Sequence, residues 1–219
     1  MKGQSPHHNP DIMHTEKNVF ENIFNTVIDI NGMTKDNIRV RMHIALFCHR
    51  KNIELTYIRS QVIKPKTNFA LDKNTQLLVY QWLKSLYFLD GHSSNISRLV
   101  NFKDCKLYGM KSHNYHMFMQ IFIPLVYRDL LVKGIWDALT EINHVFRDIC
   151  SNKLQKQHMK RLETNILQTI CKLEMIFPPS FFYSIKHLPV HLLFEAKVRG
   201  SVQYRCIYAF ERLGFTHTS

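Results

Sequence analysis

Two apolar stripes at helical spacing constrain this chain more than any other feature. Ile135, Leu139, Ile142, Phe146 and Ile149 recur every three or four residues. Leu162, Ile166, Ile170, Leu173 and Ile176 repeat the pattern until Pro178-Pro179 stops it. Side chains three and four apart share one face of an α-helix, so each run presents an apolar face that must be covered. The spacing predicts helices over 135–150 and 155–177. With only 7 Gly and 7 Pro in 219 residues, many short strands are not expected. The expected fold class is mainly α, around one sizeable core.

Five further helices follow from the same reasoning. Val19, Phe20, Ile23, Phe24, Val27 and Ile28 form a stripe after Thr15, with Gly32 where a C-terminal cap would lie. Thr34 is placed to cap a second helix running to about Arg50, with Ile38, Met42 and Leu46 inward. Asp72 is placed to cap a helix covering Leu78–Leu86, and Ser112 one covering 112–131 that Pro124 kinks or breaks. Ser180 is expected to open a helix over 181–198, closed by Gly200. Residues 51–75, mixed in polarity around Pro65, read as a linker or an eroded segment. Turn chemistry at Asp90–Gly91 and Ser93–Asn95 predicts an ordered loop with a short helical piece. The tail beyond Gly200 holds at most one short strand, in which Tyr204, Tyr208 and Phe210 alternate as on an edge strand.

The charge balance narrows the partners. Lys and Arg number 29 against 17 Asp and Glu, a net +12 with neutral histidines. Neutralising phosphates releases condensed counterions, so such a chain favours a polyanion, with DNA ahead of an anionic membrane. The run KLQKQHMKR places Lys153, Lys156, Lys160 and Arg161 close together, either tracking a phosphate backbone or lining a solvated helix face. Five cysteines, odd in number and far apart, suit reduced thiols. No apolar leader follows Met1, and no apolar run approaches a membrane span. A soluble protein of the nucleus or cytoplasm, neither secreted nor membrane-bound, is expected.

Several strings resemble the plant CACTA (En/Spm-like) transposases and the helical domain of unknown function that accompanies them. They are HNPDIMHTEKNVFENI, DGHSSNISRLVNFKDCKLYGMKSHNYHMFMQIFIP, TICKLEMIFPPSFFYSIKHLPVHLLFEAKVRGSVQYR and YAFER, which cover most of the chain outside about 51–75. The resemblance implies a helical insertion-type domain from an RNase H-like transposase. It divides the chain into 1–50, a helical pair ending the transposase-type region; 51–75; and 76–219, the associated domain.

The same resemblance implies site roles. Parent enzymes use three acids and two Mg2+ ions to attack phosphodiesters, and Glu211 matches the third acid. A looser likeness to V(D)J-type recombinases implies a zinc site, in which Met13-His14 matches one element and His187 and His191 the paired histidines. His187 and His191, four apart, share a helix face within reach of one ion. The sequence holds no C-x-x-C, so this Zn2+ set is incomplete, and Cys206 and Ala209 replace the family's usual Trp and Pro near Glu211. Autonomous cleavage is therefore not expected. The leading expectation is a degenerate, non-catalytic transposase fragment that retains weak affinity for DNA or a transposase subunit. Ranked behind it are a repurposed DNA-binding or protein-interaction module, and a piece of an active transposase completed by other sequence.

Two other signals invite chemistry. His113 and His116 form H-x-x-H at a helix start, where hydrogen-bonded or solvated imidazoles are the expectation because no third ligand is identifiable. Asp11 and Glu16 flank His14; Glu16 is read as a first-turn carboxylate that complements the helix dipole.

Overall fold

The structure is a computed structural model and describes residues 12–86, 96–151, 156–182 and 188–199. It is mainly helical, as the stripes predict. Helix α1 spans Ile12–Val27 and α2 Ile38–Ala45, followed by a hairpin of β1 (Thr56–Ile58) and β2 (Gln61–Ile63). Helix α3 (Lys73–Ser85) precedes a second small hairpin, β3 (Val100–Asn101) with β4 (Lys106–Leu107). Then come α4 (Ser112–Met117), a π-helical turn over Phe118–Phe122, α5 (Ile123–Val126), α6 (Lys133–Ile149), α7 (Lys156–Ile176) and α8 (Leu188–Arg199).

Helix α6 is the hub. It packs against α5, the π turn, α7 and α8, while α1 packs against α4, the π turn and α8. The predicted stripes form the core: Leu139, Ile142, Phe146 and Ile149 have no exposed surface, and Leu162, Ile166 and Leu173 are equally sequestered. Aromatic rings fill two places along it. Phe20, Phe24, Tyr115 and Phe118 cluster where α1 meets α4. At the end of α7, the rings of Phe177 and Phe181 stack at 4.1 Å, and Phe69 packs beside Phe177. Arg50 donates to the carbonyls of Met175 and Phe177, satisfying acceptors that the end of α7 leaves open.

Local chemistry accounts for the element ends and corrects several expectations. Asp72 caps α3 as expected; its carboxylate accepts from the Thr75 N–H at 2.9 Å, and that bond holds its pKa down to about 2. Helix α1 stops not at Gly32 but at Asp29, which takes the left-handed conformation (φ 53°). The N–H groups of Asp29 and Ile30 return to the carbonyls of Thr26 and Asn25, the paired bonds of a Schellman ending. Gly32 (φ 76°) serves the next turn. Ser112 is the first residue of α4 rather than its cap; the Asn114 side chain accepts from the Lys111 N–H at 2.8 Å. Pro124 stands at the start of the short α5, directly after the π turn, where the Ile123 N–H donates to the Phe118 carbonyl. Ser180 does not open a helix; its hydroxyl donates to the Lys35 carbonyl at 2.6 Å, within a short 3-10 turn. Residues 51–75 hold the β1–β2 hairpin, turned by Arg59 and Ser60, both at positive φ. The expected C-terminal strand lies outside the described residues.

Helix α2 departs furthest from its expectation. It is capped by Asn37 rather than Thr34, ends at Ala45, and turns Ile38, Met42 and Leu46 outward. The cause is an ion pair. Arg41 Nε and Nη2 donate to the two oxygens of Asp36 at 2.7 and 2.6 Å, with both side chains 1 % exposed. Arg41 must face inward to make this fork, Ile44 follows it one turn on, and the apolar stripe rotates to the surface. Lys64 closes the arrangement by donating to Asp29 at 2.7 Å and to the Asp36 carbonyl at 3.0 Å.

A buried ion pair is costly to break from one side, because it strands the other charge. Arg41→Met is expected to destabilise the fold by about 3–5 kcal/mol, whereas Arg41→Met with Asp36→Leu recovers most of that loss. Urea denaturation of the two variants checks this; equal losses would show that the pair is not what orients α2.

Candidate functional site

Three chain segments far apart in sequence bring chemically active groups together where α1, α4 and the end of α6 meet. Glu16 comes from the second turn of α1, His116 from α4, and Cys150 caps the C-terminus of α6. One ligand-type atom from each lies within 4.8 Å of the others. Glu16 is fully buried. His116 Nδ1 stands 3.0 Å from both of its carboxylate oxygens, a forked contact that orients the ring. The Gln120 amide nitrogen approaches the same ring nitrogen at 3.4 Å. His116 and Cys150 are half-buried, so one side of the cluster reaches solvent.

The sequence positions these groups by helical phase. Glu16 shares the inward stripe of Ile12, Val19, Phe20 and Ile23, so its carboxylate enters the core with them. A carboxylate there needs hydrogen bonds to offset lost hydration. Helix α1 has no acidic residue in its first turn, which corrects the dipole reading of Glu16. On α4, Tyr115 packs against Phe20 and donates to Glu21 at 3.2 Å, fixing α4 on α1. Burial first, then the Glu21 carboxylate, pushes the Tyr115 pKa up to about 12. The π turn begins two residues after His116; such turns re-aim side chains and recur at functional sites.

The residues singled out from the sequence fall elsewhere. His14, on α1, and His191, on α8, are both exposed, and among the described residues neither belongs to a group of three potential ligands. His187, Glu211 and Lys153 lie outside the described residues. The Zn2+ set and the Mg2+-binding acid that the resemblance implies each include a residue outside the described ones, His187 and Glu211. Lys156 begins α7, while Lys160 and Arg161 are exposed on its N-terminal half. Sequence reasoning weighed His116 and Glu16 separately and passed over Cys150. The available signal was a glutamate on the apolar stripe of α1, a place where a charge needs a partner.

A family model described as a domain of unknown function (DUF4218) matches residues 149–217, from the end of α6 onward. That match agrees with the expectation of such a domain in the second part of the chain, and begins one residue before Cys150. No curated protein and no solved structure matches the chain. Among the described residues, no helix is long and apolar enough to cross a membrane.

The Glu16–His116 contact generates a stability test. His116→Ala removes the imidazole that faces the buried carboxylate and is expected to cost about 1–3 kcal/mol, with less than that lost once Glu16→Gln is also present. A double-mutant cycle by urea denaturation should give a coupling of at least about 0.5 kcal/mol; additive losses would show that the two groups do not support each other.

Proposed function

We propose that this chain is a helical module of CACTA-type transposase descent that binds DNA through its positive charge and does not cut DNA by itself. The observation that carries the reading is the net charge of +12 together with exposed cations on a helix of the fold. Lys160 and Arg161 project from the N-terminal half of α7, whose first turn has no acidic residue, so the helix dipole and the side chains add fields of one sign. The descent rests on the long strings that resemble the plant family, and the family-model match at 149–217 agrees with the part they assign to a helical domain of unknown function. Of the three acids that two-metal strand transfer requires, the matching strings supply Glu211 alone, which supports binding rather than cleavage.

Affinity of this kind is nonspecific, on the order of 10⁻⁶ to 10⁻⁴ M at physiological salt. Fluorescence anisotropy with a short duplex should show log K falling linearly with log salt. Lys160→Glu with Arg161→Glu should flatten that slope by up to about 2, since each phosphate contact contributes about 0.9. Binding that ignores salt, or magnesium-dependent nicking of the duplex by the purified chain, overturns this reading.

A second reading has its own support in α2. Ile38 and Met42 on it, and Leu46 and Phe47 just past its end, are exposed, the last two by about three quarters of their surface (77 % and 76 %). A continuous apolar strip of that kind suits a protein partner such as a transposase subunit. Leu46→Ser with Phe47→Ser is expected to cut binding of an anilinonaphthalene sulfonate dye at least about twofold while leaving DNA affinity unchanged, the strip being an exposed apolar patch. Unchanged dye binding would remove the apolar strip as a docking surface.

A further inference from the structure

We propose that Glu16, His116 and Cys150 form a binding site for one zinc ion that ties α1, α4 and the end of α6 together. The proposal is independent of the DNA-binding reading and of the histidines that the sequence resemblance singles out. It stands on the meeting of three side chains drawn from positions 16, 116 and 150, whose ligand-type atoms all lie within 4.8 Å of one another.

The donor chemistry selects the metal. A thiolate, an imidazole and a carboxylate are the three side-chain types that hold zinc, at about 2.0–2.3 Å. Tetrahedral geometry at those lengths puts ligand atoms about 3.3–3.8 Å apart, so closure from the observed spacing needs only small rotations of the three side chains. Magnesium and calcium, which prefer all-oxygen shells, are disfavoured by the sulfur and nitrogen donors.

The charges also match. The Glu16 carboxylate and a Cys150 thiolate together carry two negative charges against the two positive charges of the ion. Binding at His116 Nδ1 puts the proton of the neutral ring on Nε2, and Cys150 gives up its thiol proton to solvent. Glu16 is fixed in the core and sets where the ion can sit. The half-buried faces of His116 and Cys150 provide the path in and leave a fourth position for water. Cys150 is in no disulfide.

The test is a titration of the metal-free 219-residue chain with Co2+ and then Zn2+ under reducing conditions. One equivalent of Co2+ should produce a thiolate-to-cobalt charge-transfer band that Zn2+ abolishes. Cys150→Ser should eliminate the band, and Cys48→Ser with Cys171→Ser, both at exposed positions, should keep it. His116→Ala should weaken Zn2+ binding by at least about tenfold, the loss that even outer-shell partners produce. Absence of a saturable band, or a band that survives Cys150→Ser, overturns the site. Zn2+ binding lost on changing His14, His187 or His191, yet kept in Cys150→Ser, also overturns it and moves the metal to the set implied by resemblance. Should Cys150→Ser lose its far-ultraviolet helical signal, zinc-edge absorption of the unmodified protein decides: one sulfur with nitrogen or oxygen neighbours upholds the site, and any other sulfur count refutes it.

Discussion

The cover that α6 demands is the constraint from which the rest of the architecture follows. A helix with Ile135, Ala138, Leu139, Ile142, Val145, Phe146 and Ile149 all buried has more apolar surface than one neighbour can hide. It takes α7 and α8 on one side, and α5 with the π turn on another. Seating α5 and the π turn there draws α4 with them, because the three run consecutively from Ser112 to Val126. Helix α1 then closes the bundle through its own stripe, with Phe20 and Phe24 against Tyr115 and Phe118. Hydrophobic burial is non-directional, so it explains why these helices gather but not how each is rotated. Rotation is set by the few polar contacts that must be made in the core: Glu16 with His116, and Arg41 with Asp36.

That division explains what could be read in the sequence. The long stripes of α1, α6 and α7 were legible because each repeats over several turns and the period is unambiguous. The cap of α3 was legible because Asp72 stands three residues before a backbone donor it can reach. Helix α2 was misread for the same physical reason that rotates it. Its apolar residues do have helical spacing, but the fork to Asp36 needs Arg41 to face inward, and with Arg41 inward Ile38, Met42 and Leu46 face out. The pair links Asp36 to Arg41 across a helix start, and nothing in the spacing of those two residues distinguishes it from ordinary surface charge.

The Glu16–His116–Cys150 cluster was hidden for another reason. Its members are separated by 100 and 34 positions, and no local motif connects them. Glu16 looks like a first-turn acid until the start of α1 at Ile12 places it one turn deeper. His116 looks like half of a common histidine pair, and Cys150 like one of several reduced thiols. Only the fold, by setting the C-terminus of α6 against the junction of α1 and α4, gives the three a shared environment. Local pattern reveals elements; it cannot reveal which ends of elements meet.

These polar contacts also bear on how the surface is used. Turning α2 by its ion pair exposes an apolar strip at one place, while the basic residues of α7 remain at another, so charge and greasiness are carried by different elements. Burying Ile38 and Met42 would require α2 to rotate about its axis. The rotation is opposed by a forked pair between side chains that are each 1 % exposed, reinforced by Lys64 from the β1–β2 hairpin. The outward stripe is therefore not loose packing at the margin of the fold. It is held outward by the buried fork between Arg41 and Asp36.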